Sequence, residues 1–209
     1  MYAKNFKDWT TVNEINNRWR DPSFWSMIDL DRDIYSEDPD VLYRVATHPD
    51  CPIEYLELLA QSWSDIARIG VASNENTPSK ILYKLSFDIH PNVLHVVAQN
   101  PNTSPNAFKN LIDYSYKEVY SEMGYDITLA AMKNPSCPIE LVIKVSKYKG
   151  DDVGKQHLSR TASSIIDQRL READPDERNR IERTINMADL GVDLDIEGDI
   201  DLENLKLDF

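Results

Sequence analysis

Apolar residues along this chain fall on short helical stripes, and the same polar phrase interrupts them four times. The phrase reads Val-Ala-Thr-His-Pro-Asp-Cys-Pro at Val45–Pro52 and Val-Ala-Ser-Asn-Glu-Asn-Thr-Pro at Val71–Pro78. It returns as Val-Ala-Gln-Asn-Pro-Asn-Thr at Val97–Thr103 and as Ala-Met-Lys-Asn-Pro-Ser-Cys-Pro at Ala131–Pro138. Before each phrase stands an i, i+4 apolar pair: Val41 and Val45, Ala67 and Val71, Val93 and Val97, Ile127 and Ala131. After each phrase a second stripe follows: Tyr55, Leu56 and Leu59; Ile81, Leu82 and Leu85; Ala107, Phe108 and Leu111; Leu141, Val142 and Val145. Both spacings put apolar side chains on one face of a helix. Each copy is therefore a pair of helices joined by a turn that Asn-Pro or His-Pro signals.

Cys51, Thr77, Thr103 and Cys137 occupy equivalent positions, spaced by 26, 26 and 34 residues. A fixed period of this length is the mark of a stacked repeat, in which one unit cannot fold alone but neighbours bury a continuous core. The last, longer spacing places an extra loop or helix extension within Tyr114–Gly124. Thr77 and Thr103 read as helix N-caps, with Cys51 and Cys137 as substituted caps and Pro52, Pro78 and Pro138 at the first helical position. Glu54 and Glu140 stand where a capping box would place them. Ala46, Ala72 and Ala98 are small enough to let layers approach closely. The expected fold is all-α: a right-handed α-solenoid of about five two-helix repeats, carrying an extended acidic C-terminal tail.

Four segments follow from this pattern. Residues 1–37 form an aromatic capping segment, 38–171 the repeats, 172–188 a C-terminal helix and 189–209 an acidic tail. In the first, Val12, Ile15 and Trp19 share a helical face, and Asp21-Pro22 opens a second short helix. It reads either as a cover for the open end of the first repeat or, through Trp9 and Trp25, as an exposed anchor for a partner. Beyond the fourth copy, a helix from about Val153 to Arg171 presents Leu158, Ala162, Ile165 and Ile166 as a degenerate fifth layer. Asp174-Pro175 starts another, Pro175–Asp189, which Gly191 stops.

The tail changes period. Leu190, Val192, Leu194 and Ile196 alternate with acids or glycine, and Ile200, Leu202, Leu205, Leu207 and Phe209 continue the pattern. Period two is that of a strand. A solvating, unstructured tail and a partner-binding strand both fit, with Leu202, Leu205, Leu207 and Phe209 as the contact residues of the second. An acidic segment ending in Leu-Asp-Phe also resembles the C-terminal peptides by which some replication and transcription proteins dock their partners.

Asn-x-Asn-Thr-Pro-x-x-Ile-Leu-x-x-Leu, as it stands at Asn74–Leu85, resembles the variant leucine-rich repeat, a helical superhelix related in style to HEAT and armadillo arrays. The resemblance covers roughly residues 38–146, with a slightly longer period than that family's. It implies a binding surface rather than catalysis. A cysteine-rich cluster-binding segment described ahead of the repeats in that family has no counterpart here, because residues 1–37 contain no cysteine.

Charge and chemistry refine the picture. The net charge is −13, concentrated after residue 150, which argues against general nucleic-acid binding. No apolar run reaches a membrane span, and the N-terminal residues lack a signal peptide's apolar core, so a cytoplasmic setting is expected, or a virus particle for a viral or phage source. The two cysteines, three layers apart, are too distant to pair. His48 stands where the other copies have Asn and reads as a turn residue; His90, His95 and His157 form no metal-ligand spacing. Asp29, Asp31 and Asp33 imitate the opening of a calcium loop but lack its downstream Gly and Glu. No catalytic residue, cofactor or metal is expected. Lys80, Lys84, Lys109 and Lys144 form a sparse basic strip on the second helices, open to phosphate, to an acidic partner, to the chain's own tail or simply to water. The function expected is a non-catalytic protein–protein interaction or scaffold module within a larger assembly, binding through the repeat surface and the tail. The alternative is a nucleic-acid-associated replication or transcription accessory protein docking its partners through its C-terminal peptide.

Overall fold

Apolar stripes of two or three turns, punctuated by proline and asparagine, produce short helices with little stability of their own. A computed structural model describes residues 28–117, 122–149 and 153–191, and these residues form α-helices and no strands. In chain order the helices are α1 (Leu30–Asp33), α2 (Pro39–Thr47), α3 (Ile53–Leu59), α4 (Asp65–Ser73), α5 (Ser79–Leu85) and α6 (Pro91–Gln99). They continue as α7 (Pro105–Lys117), α8 (Glu122–Lys133), α9 (Ile139–Ser146), α10 (Val153–Glu172) and α11 (Pro175–Asp189).

Helices preceding a phrase pack on one another in succession: α2 on α4, α4 on α6, α6 on α8, and α8 on α10. Those following a phrase pack likewise, α5 on α7, α7 on α9 and α9 on α11. The core lies between these two rows. Val45, Val71, Val97 and Ala131 from the first row meet Leu56, Leu82, Phe108, Leu111 and Val142 from the second, all fully buried. Of the expected inward pairs, only Val41 stays half-buried. Leu158, Ala162 and Ile166 of α10 and Ile181 of α11 extend the same cluster.

The alanines of the phrase do permit close approach. A Cβ added at Gly70 would stand 2.8 Å from the Ala46 Cβ and 3.1 Å from the Tyr43 carbonyl oxygen. The longer third spacing is absorbed by lengthened helices: α7 has 13 residues and α8 has 12, against 7 to 9 in α2 through α6. Asp174 caps α11 as expected, accepting from the backbone N–H of Asp176 and Glu177. Gly191, just past its end, has φ +76°, a left-handed conformation that terminates a helix at little cost only for glycine.

The capping assignment within the phrase is corrected. Pro52, Pro78 and Pro138 occupy the N-cap position itself, and no side chain caps α3, α5 or α9. The Thr77 and Thr103 hydroxyls point the other way, donating to the Val71 and Val97 carbonyls, each at 2.6 Å. Those carbonyls end the preceding helix, where acceptors outnumber intrahelical donors, so a hydroxyl two residues before the next helix meets an acceptor first. Cys51 and Cys137 approach the Pro52 and Pro138 carbonyls at 3.7 and 3.8 Å. In α7 a side-chain cap does form, with Pro105 as the first residue, but it is Ser104 and not the expected Thr103 that accepts from the Ala107 N–H. Glu140 completes no capping box; it accepts from Arg180 of α11 instead.

Two opposed edges and a candidate interaction surface

The phrase turns stack along one edge, and a run of asparagine carboxamides joins them. Asn74 Nδ2 donates to the carbonyls of Ala46 (2.7 Å) and His48 (3.0 Å). Asn100 repeats this on Ala72 (2.8 Å) and Asn74 (3.0 Å), and Asn134 on Ala98 (3.0 Å) and Asn100 (2.9 Å). Each Oδ1 meanwhile accepts from the N–H two residues on, at Asn76, Asn102 and Ser136. The receiving alanines lie in the last turns of α2, α4 and α6, so each layer satisfies the orphan carbonyls of the layer before it.

His48 copies half of this function. Its Nδ1 accepts from the Asp50 N–H at 3.0 Å, in the place of an asparagine Oδ1. Burial lowers its pKa from the ordinary imidazole value, consistent with a neutral ring serving as acceptor. At the other end, Arg169 of α10 supplies the final rung, donating to the carbonyls of Cys137 (2.7 Å) and Asn134 (3.2 Å). The asparagine carboxamides and the carbonyls they meet along this edge are thus consumed by the fold. The two cysteines beside them are buried and unpaired with each other, and burial pushes their thiols up to about 11 for Cys51 and about 12 for Cys137.

Since every helix crosses from one edge to the other, the loops between successive pairs lie on the opposite edge. There the chain is held by Arg68, which grips Asp88 with two bonds of 2.6 and 3.0 Å and reaches back to the carbonyls of Ser62 (2.8 Å) and Trp63 (3.3 Å). Both side chains of this pair are largely buried, and the bond to Asp88 raises the Arg68 pKa further. Asp88 Oδ1 also accepts from the His90 N–H, while His90 Nε2 stands 3.1 Å from Asp65. One clasp therefore fixes the α3–α4 and α5–α6 loops together.

These same loops expose large apolar side chains. Trp63 is 76% exposed, Phe87 62% and Ile89 93%. Phe87 meets Tyr83 edge to face at 5.3 Å. Tyr35, before α2, and Val153 and Leu190, farther along the chain, are exposed on the same edge. Tyr35 and Phe87 are two periods apart, and Trp63 and Ile89 one period apart at 26 residues. That recurrence of an apolar residue between helices, off both core stripes, is the signal in the sequence that would have revealed them.

The expected site residues fall as follows. Lys80, Lys84, Lys109 and Lys144 are all exposed. Lys144 pairs with Asp113 of α7 at 2.9 Å, which leaves it less available than the other three. Trp9, Trp25, Leu202, Leu205, Leu207 and Phe209 lie outside the described residues. Asp29, Asp31 and Asp33 are engaged locally: Asp29 caps α1, Asp33 pairs with Arg32 at 2.7 Å, and Asp31 accepts from the Tyr55 hydroxyl at 2.5 Å. That last bond is the first cause that pushes the Tyr55 phenol up to about 12. Among the described residues no group of three or more His, Cys, Asp or Glu is placed to hold a metal, and no helix is long and apolar enough to cross a membrane. Compared with known proteins, the chain matches no family model, no curated protein and no solved structure.

Proposed function

We propose that this protein is a non-catalytic interaction module: a right-handed α-solenoid of the kind the variant leucine-rich and HEAT repeats exemplify, docking a protein partner along its apolar loop edge. The observation that carries the reading is the contrast between the edges. One consumes its polar groups in asparagine rungs, while the other holds Trp63, Phe87 and Ile89 out to solvent on loops clasped by Arg68 and Asp88. Exposed aromatic and aliphatic side chains on a rigid support suit an interface, because little conformational freedom remains to be lost on binding. The flanking segments, residues 1–37 and 189–209, are the second contacts of this scheme, and a larger assembly is its setting.

The test is quantitative crosslinking and co-purification from the native source, comparing the wild-type chain with a Trp63→Ser, Phe87→Ser, Ile89→Ser variant and with a Lys80→Glu, Lys109→Glu control. Loss of a stoichiometric partner in the first variant and retention in the second is the expected result. Equal recovery of that partner by all three chains refutes the docking edge. In the alternative, a nucleic-acid accessory role, Lys80, Lys84 and Lys109 would carry the contact. It requires binding that falls steeply with salt and that Lys80→Glu with Lys84→Glu weakens.

A further inference from the structure

The apolar edge lies close to the point where the chain's own C-terminal segment begins. Arg180, in the second turn of α11, pairs with Glu140, in the first turn of α9, at 2.9 Å, and Asp189, the last residue of α11, pairs with Lys147, just past the end of α9. Two such pairs at corresponding ends make α11 parallel to α9. Its C-terminus therefore emerges on the loop edge, where Leu190 is 82% exposed. From Gly191 the next 18 residues, 192–209, alternate aliphatic residues with acids and include 7 acids against one base.

We propose that residues 192–209 fold back along this edge in the free protein and cover Phe87, Ile89 and Trp63. Reach permits it. An extended chain of 18 residues spans about 60 Å. The path from α11 over α9 and α7 to α5 crosses helix spacings of about 8–10 Å each, so roughly 30 Å separates Gly191 from the Phe87 loop. Charge permits it as well. Lys84 in the last turn of α5 and Lys149 after α9 are exposed along the route, and the Asp88 carboxylate is already neutralised by Arg68. An alternating segment has one aliphatic face and one acidic face. The aliphatic face answers the exposed side chains, and the acidic face remains toward lysine and water. A partner seeking the same residues must displace the segment, which makes it a built-in competitor. This inference goes beyond the partner-binding reading, and its test contains no partner.

The test is heteronuclear NMR on the purified full chain and on a chain ended after Gly191. The Trp63 indole N–H signal, assigned through Trp63→Phe, and the backbone signals of residues 86–90 are the reporters. The expected result is that truncation shifts these signals and that a synthetic peptide of residues 192–209 restores them in trans. Phe87→Ser with Ile89→Ser should weaken the peptide at least about tenfold; both side chains are exposed, and a thermal melt verifies that the variant folds. Lys84→Glu with Lys149→Glu should weaken it too, and so should added salt. Identical reporter signals in the two chains overturn the proposal. So does peptide binding indifferent to the Phe87 and Ile89 substitutions, and so does a full-chain spectrum whose reporters move with protein concentration, since that assigns the contact to a second copy.

Discussion

Replacing Asn100 by alanine removes the central rung of the polar edge, and its cost can be worked from the bonds lost. The Ala72 and Asn74 carbonyls lose donors at 2.8 and 3.0 Å, and the Asn102 N–H loses an acceptor at 2.9 Å. The first two groups are buried at a layer junction that bulk water does not reach. At about 1–1.5 kcal/mol for each bond lost in such a place, Asn100→Ala costs about 3–4 kcal/mol, a large part of the stability of a domain this size. Asn100→Asp separates the donor from the acceptor. It keeps the acceptor for Asn102 but turns a carboxylate toward two carbonyl oxygens. At neutral pH it is therefore more destabilising than alanine. Its folded-state pKa is raised, so the loss is largest above that value and shrinks as the carboxyl protonates at lower pH and can donate to one carbonyl. Urea unfolding followed by circular dichroism measures both. Asn102→Ala is the control: the residue is exposed, and its loss should cost less than about 1 kcal/mol. The reasoning fails if Asn100→Ala costs less than 1 kcal/mol, on the order of a single exposed bond, or if Asn100→Asp is the milder change at pH 7.

Gly70→Ala tests the close approach of α2 and α4: the added methyl meets the Ala46 Cβ, which cannot move without its helix, and a melting curve should report about 1–3 kcal/mol of destabilisation despite alanine's better helix propensity. Arg169→Lys leaves a charge but cannot bridge the Asn134 and Cys137 carbonyls as a fork; about 1–2 kcal/mol should be lost, and amide exchange should rise first in α10. His48 has a lowered pKa from burial, so the unfolded chain takes up the proton first and stability falls as pH drops below about 6.5, down through the lower folded value. His48→Asn, the residue used in the other copies, should flatten the part of this decline that His95, also lowered by burial, does not supply; urea midpoints between pH 5 and 8 measure it, and parallel curves for the two proteins refute it.

The helices and their partners along the chain were legible because they depend on local periodicity. Val153–Glu172 and Pro175–Asp189 follow from apolar spacing, from Asp174 and from Gly191, all within one element. The repeat period likewise made the equivalence of Asn74, Asn100 and Asn134 visible, and His48 as their substitute. What each polar atom binds was not legible, because its partner lies a whole layer away. Thr77 has the chemistry of an N-cap, and only the position of the Val71 carbonyl, 2.6 Å distant, turns its hydroxyl backward. Arg169 lies outside the repeated phrase and takes the last rung because α10 packs on α8 and α9 and brings a guanidinium to carbonyls 32 and 35 residues earlier. Trp63, Phe87 and Ile89 stand off both core stripes and recur with the repeat period, but the sequence does not say what faces them. Their exposure follows from the loops' position at the edge opposite the asparagine rungs, where the helix rows end and no element among the described residues covers them. Sequence by itself determined the elements, since side-chain period is a property of the chain; tertiary packing decided which groups the fold consumes and which it leaves exposed, since that depends on what stands across each gap.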